Sequence, residues 1–140
     1  MQVHGSCASK GGSGVLLIGP PGSGKSDLLL RLLDRGFSLV ADDRVDIEAG
    51  VARPPPNLAG LLEVRGLGIV RLAHVAQTCL ALAVTLGAPV ARLPQPARHP
   101  ILDLPLIAVE AHHASAPAIV ELALNSVLAR VGQVAGAFLS

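Results

Sequence analysis

The sequence predicts an α/β fold with a central, mostly parallel sheet flanked by helices, and three observations carry that prediction. A short apolar run, VLLI at Val15 to Ile18, leads directly into the glycine-rich stretch GPPGSGKS at Gly19 to Ser26. The segment that follows spaces its leucines as one face of a helix, and further apolar runs, FSLVADD, CLALAVTL and LPLIAVE, recur downstream as strands. A chain of 140 residues, 51% of them hydrophobic, suffices for one domain over residues 1–140, which would bury roughly two thirds of its unfolded surface.

Each element has its own signal. VLLI is bounded by Gly14 and Gly19, and its β-branched ends suit a strand buried on both faces. From Ser26, SDLLLRLLDRG sets Leu28, Leu29, Leu32 and Leu33 at helical spacing, with Gly36 where a helix stops. FSLVADD predicts a second strand ending in Asp42 and Asp43, and VDI (Val45 to Ile47) continues it beyond a turn as an edge hairpin. Three consecutive prolines make ARPPPN (Ala52 to Asn57) a loop. LAGLLEVRGLGIV reads as a short helical turn, a glycine-bracketed loop at Glu63 to Gly68, and another strand. The proline-containing ARLPQPARHP separates the last two strands. Ser115 caps and Pro117 opens a final helix with Ile119, Val120, Leu122, Ala123, Val127, Leu128 and Val131 on its buried side.

Charge and composition narrow the function. Eleven Lys and Arg nearly balance ten Asp and Glu, so no broad field favours a nucleic acid or an anionic membrane. Phe37 and Phe138, the only aromatic residues, offer no stacking platform for bases. Cys7 and Cys79 are isolated thiols rather than a disulfide framework, and the first ten residues lack the apolar core of a secretory signal, so a cytoplasmic setting is expected. The uncharged run between Arg71 and Arg92 contains His74, Gln77, Thr78, Gly87 and Pro89, and reads as interior elements rather than a membrane span.

GPPGSGKS carries the chemistry. Its glycines let the backbone fold back with N–H groups inward, a nest for phosphate oxygens at the positive end of a helix. Gly19, Pro20, Pro21, Gly22, Ser23, Gly24, Lys25 and Ser26 are therefore the expected nucleotide-binding residues, with Lys25 reaching the terminal phosphates and the Ser26 hydroxyl on magnesium. The strand before it and the helix after it supply the required context, and ATP with Mg²⁺ is the ligand expected.

Two acidic constellations follow. The ends of parallel strands face the ligand in open α/β sheets, so Asp42 and Asp43 would lie beside the loop, one on the metal's water shell and one facing an incoming hydroxyl. A solvated turn before Arg44 is the alternative. Glu63 and Arg65 share a face if EVRGLG is extended, which would let Glu63 ligate magnesium and Arg65 neutralise charge on a transferred phosphoryl group. By spacing alone the pair reads first as a surface ion pair. His74, His99, His112 and His113 show no zinc-ligand spacing.

Taken together, VHG at Val3 to Gly5, GPPGSGKS, LVADD and LLEVRGLGIV resemble the catalytic C-terminal domain of HPr kinase/phosphorylase, in its short single-domain form, over roughly residues 1 to 75. The resemblance implies a P-loop kinase domain that phosphorylates a seryl residue of HPr, a small phosphocarrier of the sugar phosphotransferase system, and that assembles as a hexamer. It sets His4 on the strand preceding the phosphate loop, near the transferred phosphate. Lys25 and Ser26 then serve nucleotide and metal, Asp43 accepts the serine proton, Asp42 stands on the metal side, Glu63 is a magnesium ligand, and Val64 to Val70 belong to a signature loop.

The resemblance also implies the reverse reaction, in which inorganic phosphate releases pyrophosphate. Three features depart from longer members: the absence of a separate amino-terminal domain, Pro20 and Pro21 in the loop, and a downstream segment, HHASAPAIVELALN, without the arginine linked to dephosphorylation. That segment counts against the reverse reaction, and Arg92 is a candidate for an arginine that long members use downstream. Two rival readings are a small-metabolite kinase, with ARLPQPARHP as its lid, and a non-catalytic nucleotide-binding regulator.

Overall fold

The computed structural model describes residues 1–139. In chain order it contains β1 (Gln2–Lys10), β2 (Ser13–Ile18), α1 (Lys25–Asp34), β3 (Ser38–Ala41), β4 (Arg44–Glu48) and β5 (Val51–Arg53). A single 3₁₀ turn (Pro56–Leu58) leads to β6 (Leu61–Val64), β7 (Gly68–Arg71), β8 (Thr78–Leu86), β9 (Leu106–Val109) and α2 (Ala116–Val127).

The sheet is mixed and not mostly parallel, which corrects the sequence expectation. β1 pairs antiparallel with β2, β3 and β4; β4 with β5 and β5 with β8 are also antiparallel, and only β2–β8 and β8–β9 are parallel. Because β8 pairs with both β5 and β2, strands β2, β1, β4, β5 and β8 close on themselves as a barrel-like ring. The element the sequence reading lacked is β1. Gly5 to Ser9 are all buried, yet Ser6 and Ser9 break any apolar pattern. Their hydroxyls are satisfied inside, Ser6 on Asp42 and Ser9 with Thr78, which is what lets polar residues occupy a strand buried on both faces. Gly11 and Gly12, both at positive φ, make the tight turn that returns β1 into β2.

Two cores result. Val15 and Leu17 face Leu28, Leu29 and Leu32 of α1 and Val120 and Leu124 of α2, so both helices share one apolar layer. Leu16 points the other way, toward Cys7, Val40, Val45, Ile47 and Ala52 inside the ring. That face is covered by strands, so the sheet is not flanked by helices on both sides. Burial pushes the Cys7 thiol up to about 12, while Cys79 is exposed; both are free.

Other differences are local. β4 is not an edge hairpin but a ring member bonded to β1 and β5. The segment read as a turn and loop at Leu61 to Gly68 is a β-hairpin, β6–β7, separate from the main sheet. On α2 the buried side is Ala116, Val120, Ala123 and Leu124, whereas Ile119 and Leu122 are exposed; Val131 lies beyond the end of the helix and is exposed too. Ser115 precedes α2 without a side-chain cap bond, and Pro117 opens it as expected. Glu121 accepts hydrogen bonds from Lys10 and Arg35, tying α2 to β1 and to the end of α1. Those two donors, Lys10 first, hold its carboxyl below the usual glutamate range. Among the described residues no helix is long and apolar enough to cross a membrane.

Candidate active site

Although the sheet is mixed, the strands that lead to the site run the same way. β2, β8 and β9 are mutually parallel, and β3, antiparallel to β1 like β2, shares their direction. Their carboxyl ends therefore deliver Gly19, Asp42, Gly87 and Glu110 to one end of the molecule, where His4 lies near the start of β1. His4 is thus on the antiparallel neighbour of the strand that feeds the loop, not on that strand itself.

Pairing along β1 is interrupted opposite Gly5. Residues Cys7 to Ser9 pair with β3 and Gln2 to His4 with β4, so the chain must turn between the two strands, at Asp42–Asp43. The Arg44 amide donates to Asp42 O at 2.7 Å and the Gly5 amide to Asp43 O at 3.1 Å. Asp43 takes φ 67 within this three-residue turn, a conformation that aspartate tolerates better than most residues. The turn sends the two carboxylates to different environments. Asp42 is 7% exposed and accepts at the same oxygen, Oδ1, from Ser6 Oγ and Ser26 Oγ, each at 2.8 Å. The Asp43 side chain is 68% exposed, with Oδ1 3.9 Å from His4 Nδ1 and Oδ2 3.9 Å from Arg44 Nε.

The loop opens α1 at Gly24, which has φ 97 and no capping side chain, so the first-turn N–H groups stay open to an anion. The Lys25 ammonium donates to the carbonyls of Gly19 (2.8 Å) and Pro20 (3.0 Å). Ser23 Oγ is buried without a hydrogen-bond partner among the described residues. These are the features of a phosphate site, and they fit ATP. Ser26 gives its one proton to Asp42, leaving its lone pairs for a cation. Among the described residues no three His, Cys, Asp or Glu side chains group as a metal site. The fit is to magnesium, which takes most of its oxygens from nucleotide phosphates and water.

A cleft of about 890 Å³ gathers His4, Gly19, Pro21, Gly22, Gly24, Lys25 and Ser26 with Asp43, Glu63 and Arg65. The β6–β7 hairpin supplies the last two, which form no ion pair with each other or with any other described residue. Asp42, Pro20 and Ser23 do not line this cleft, Asp42 being buried behind Ser26 and Pro20 exposed, and Arg92 is exposed and apart from it. Ser6, Asp27, Leu30 and His112 also line the cleft and escaped the sequence reading. Ser6 sits in a strand whose mixed pattern gave no face, and His112 has no spacing signal; only the end of β9 brings it to the loop.

Comparison with known proteins places the chain by family and fold. The family model for the HPr Serine kinase C-terminal domain matches residues 1–78, more than half of the chain. HPr kinase/phosphorylase of Lacticaseibacillus casei (strain BL23) is 47% identical over 74 residues, covering 49% of this chain and 23% of that protein. HPr kinase/phosphorylase of Shouchella clausii (strain KSM-K16) is 48% identical over 75 residues, 50% of this chain and 24% of the relative. The match thus spans about a quarter of the length of these curated relatives. A solved structure of the Hpr(Ser) kinase/phosphatase from Coxiella burnetii superposes with a TM-score of 0.80 at 25% identity, covering 93% of this chain and 92% of that one. With the loop, the acidic turn and the hairpin all inside the matched residues, this chain belongs to the HPr serine kinase C-terminal domain family.

Proposed function

We propose that this domain transfers a phosphoryl group from ATP to a seryl hydroxyl of the phosphocarrier HPr. Family membership supports the substrate, and the observation that carries the chemistry is the split of the acidic pair, with Asp43 in the cleft and Asp42 behind Ser26. Asp43 faces the cleft and takes the serine proton as the hydroxyl attacks. His4, 3.9 Å away, keeps the carboxylate oriented. Asp42 is a positioning residue that acts through Ser26. Lys25 exchanges its loop carbonyls for the terminal phosphates, and Arg65 compensates charge as the phosphoryl group moves. Ser26 and Glu63 would hold magnesium, which when bound neutralises phosphate charge.

The proposal covers the forward direction, since the 112–118 segment carries no arginine for the reverse one. A cytoplasmic homo-hexamer completes it. Asp43→Asn should lower transfer to HPr by about 10²–10⁴-fold while ATP still binds. Undiminished transfer from labelled ATP in that variant would refute the base assignment.

A further inference from the structure

We infer that His112 is a phosphate-contacting residue of the nucleotide site, beside Gly24 of the loop. This deepens the kinase reading and rests on it for the ligand's identity.

His112 lies just beyond β9, on the segment that joins it to α2, and lines the same cleft as Lys25 and Ser26. The segment packs directly on the loop. A Cβ added at Gly24 would come within 3.0 Å of Ala111 Cβ and 3.5 Å of His112 Cε1, so the loop's backbone and the imidazole are neighbours with nothing between them. Its position is not that of a loose connection. Arg31, on α1, donates to the carbonyls of both Ala111 and His113, bracketing His112 on either side. The His113 amide bonds to Glu110 O at 3.2 Å and the Ala116 amide to His113 O at 3.0 Å, which fixes the turn into α2.

The ring held this way has no hydrogen-bond partner among the described residues. A neutral imidazole carries one N–H donor and a protonated one carries two, so in either state His112 has a donor to give to a phosphate oxygen. Its neighbours at the mouth of α1 are the open first-turn amides and the Lys25 ammonium, which favour the same anion. Asp27 also lines the cleft but is paired with Arg31 at 2.9 Å, so it does not compete for the ring.

The test is titration calorimetry of the whole chain with Mg-ATP, Mg-ADP and adenosine, comparing the unmodified protein, His112→Ala and His112→Gln. His112→Ala should bind Mg-ATP roughly tenfold more weakly, with adenosine unchanged. Gln, whose amide also donates, should recover most of the loss. Thermal melting of the free variants should match the unmodified chain, since the ring supports nothing else. Equal ATP affinity in all three proteins would overturn the inference while leaving the kinase reading intact. An equal loss for adenosine, or no rescue by Gln, would also overturn it. If the unmodified chain binds no Mg-ATP, the kinase reading itself fails, and this inference with it.

Discussion

The two walls of the cleft are built differently. On the phosphate side, Ser6, Ser26, Gly5 and Arg44 all bond to Asp42 or Asp43, so the acidic turn is held by side chain and backbone alike. On the hairpin side, Leu62 is buried and anchors β6, but Glu63 and Arg65 have no ion-pair partner. At its tip Leu67 and Ile69 are 73% and 71% exposed. One wall is preorganised before any ligand arrives; the charges of the other are left free for it. Chemistry that depends on angstrom-level placement belongs to the first, and recognition of an incoming group suits the second.

The comparison can be broken by mutation. After Asp43→Asn, the largest effect is expected on the hairpin, where Glu63→Gln or Arg65→Ala should each lower transfer by about 10²–10³-fold while the melting temperature stays within about 2 °C. Labelled-ATP transfer and calorimetry on the same samples would show it; a melting temperature that falls with activity would mean the hairpin charges are structural after all. A smaller change is expected from Ser6→Ala on the phosphate side. It removes one of two donors from a buried carboxylate, so stability should fall by about 1–3 kcal/mol in urea unfolding. No loss would show that the wall does not depend on this bond.

The smallest effect lies outside both walls, at Glu121. Its carboxyl titrates below its ordinary range when folded, because Lys10 and Arg35 bond to it. The folded state therefore binds that proton less tightly than the unfolded chain. The stabilisation is complete above the ordinary glutamate value and is lost as pH falls through the lowered one. Glu121→Gln should cost about 0.5–1 kcal/mol at pH 7, and the difference from the unmodified chain should vanish on acidification, as followed by thermal melting at stepped pH. A difference that persists in acid would place the role of Glu121 in packing instead.

The strand, loop and helix from Val15 to Asp34 were legible because each is written locally: an apolar run, glycines where the backbone turns, leucines every three or four residues. β1 was not, because Ser6 and Ser9 look like solvent-facing residues until their partners Asp42 and Thr78, 36 and 69 residues away, are known. Without β1 the parallel pairing around the loop looked like the rule for the whole sheet. The exposed face of α2 was misjudged for a similar reason. Ile119 and Leu122 are apolar, but the helix turns Val120, Ala123 and Leu124 to the core.

The residues of the site were readable one by one, since a glycine-rich loop with Lys25 and Ser26, and acids at a strand end, follow from nearest-neighbour chemistry. Their division of labour came from the family resemblance and not from the local pattern. Asp42 and Asp43 are chemically the same residue, and only the turn forced by two strands sharing β1 buries one against two hydroxyls and leaves the other in the cleft. His112 became part of the site only when the end of β9 and the Arg31 guanidinium set it against the loop. Side-chain chemistry is carried by sequence, but which side chains share a space depends on long-range pairing that no local pattern encodes.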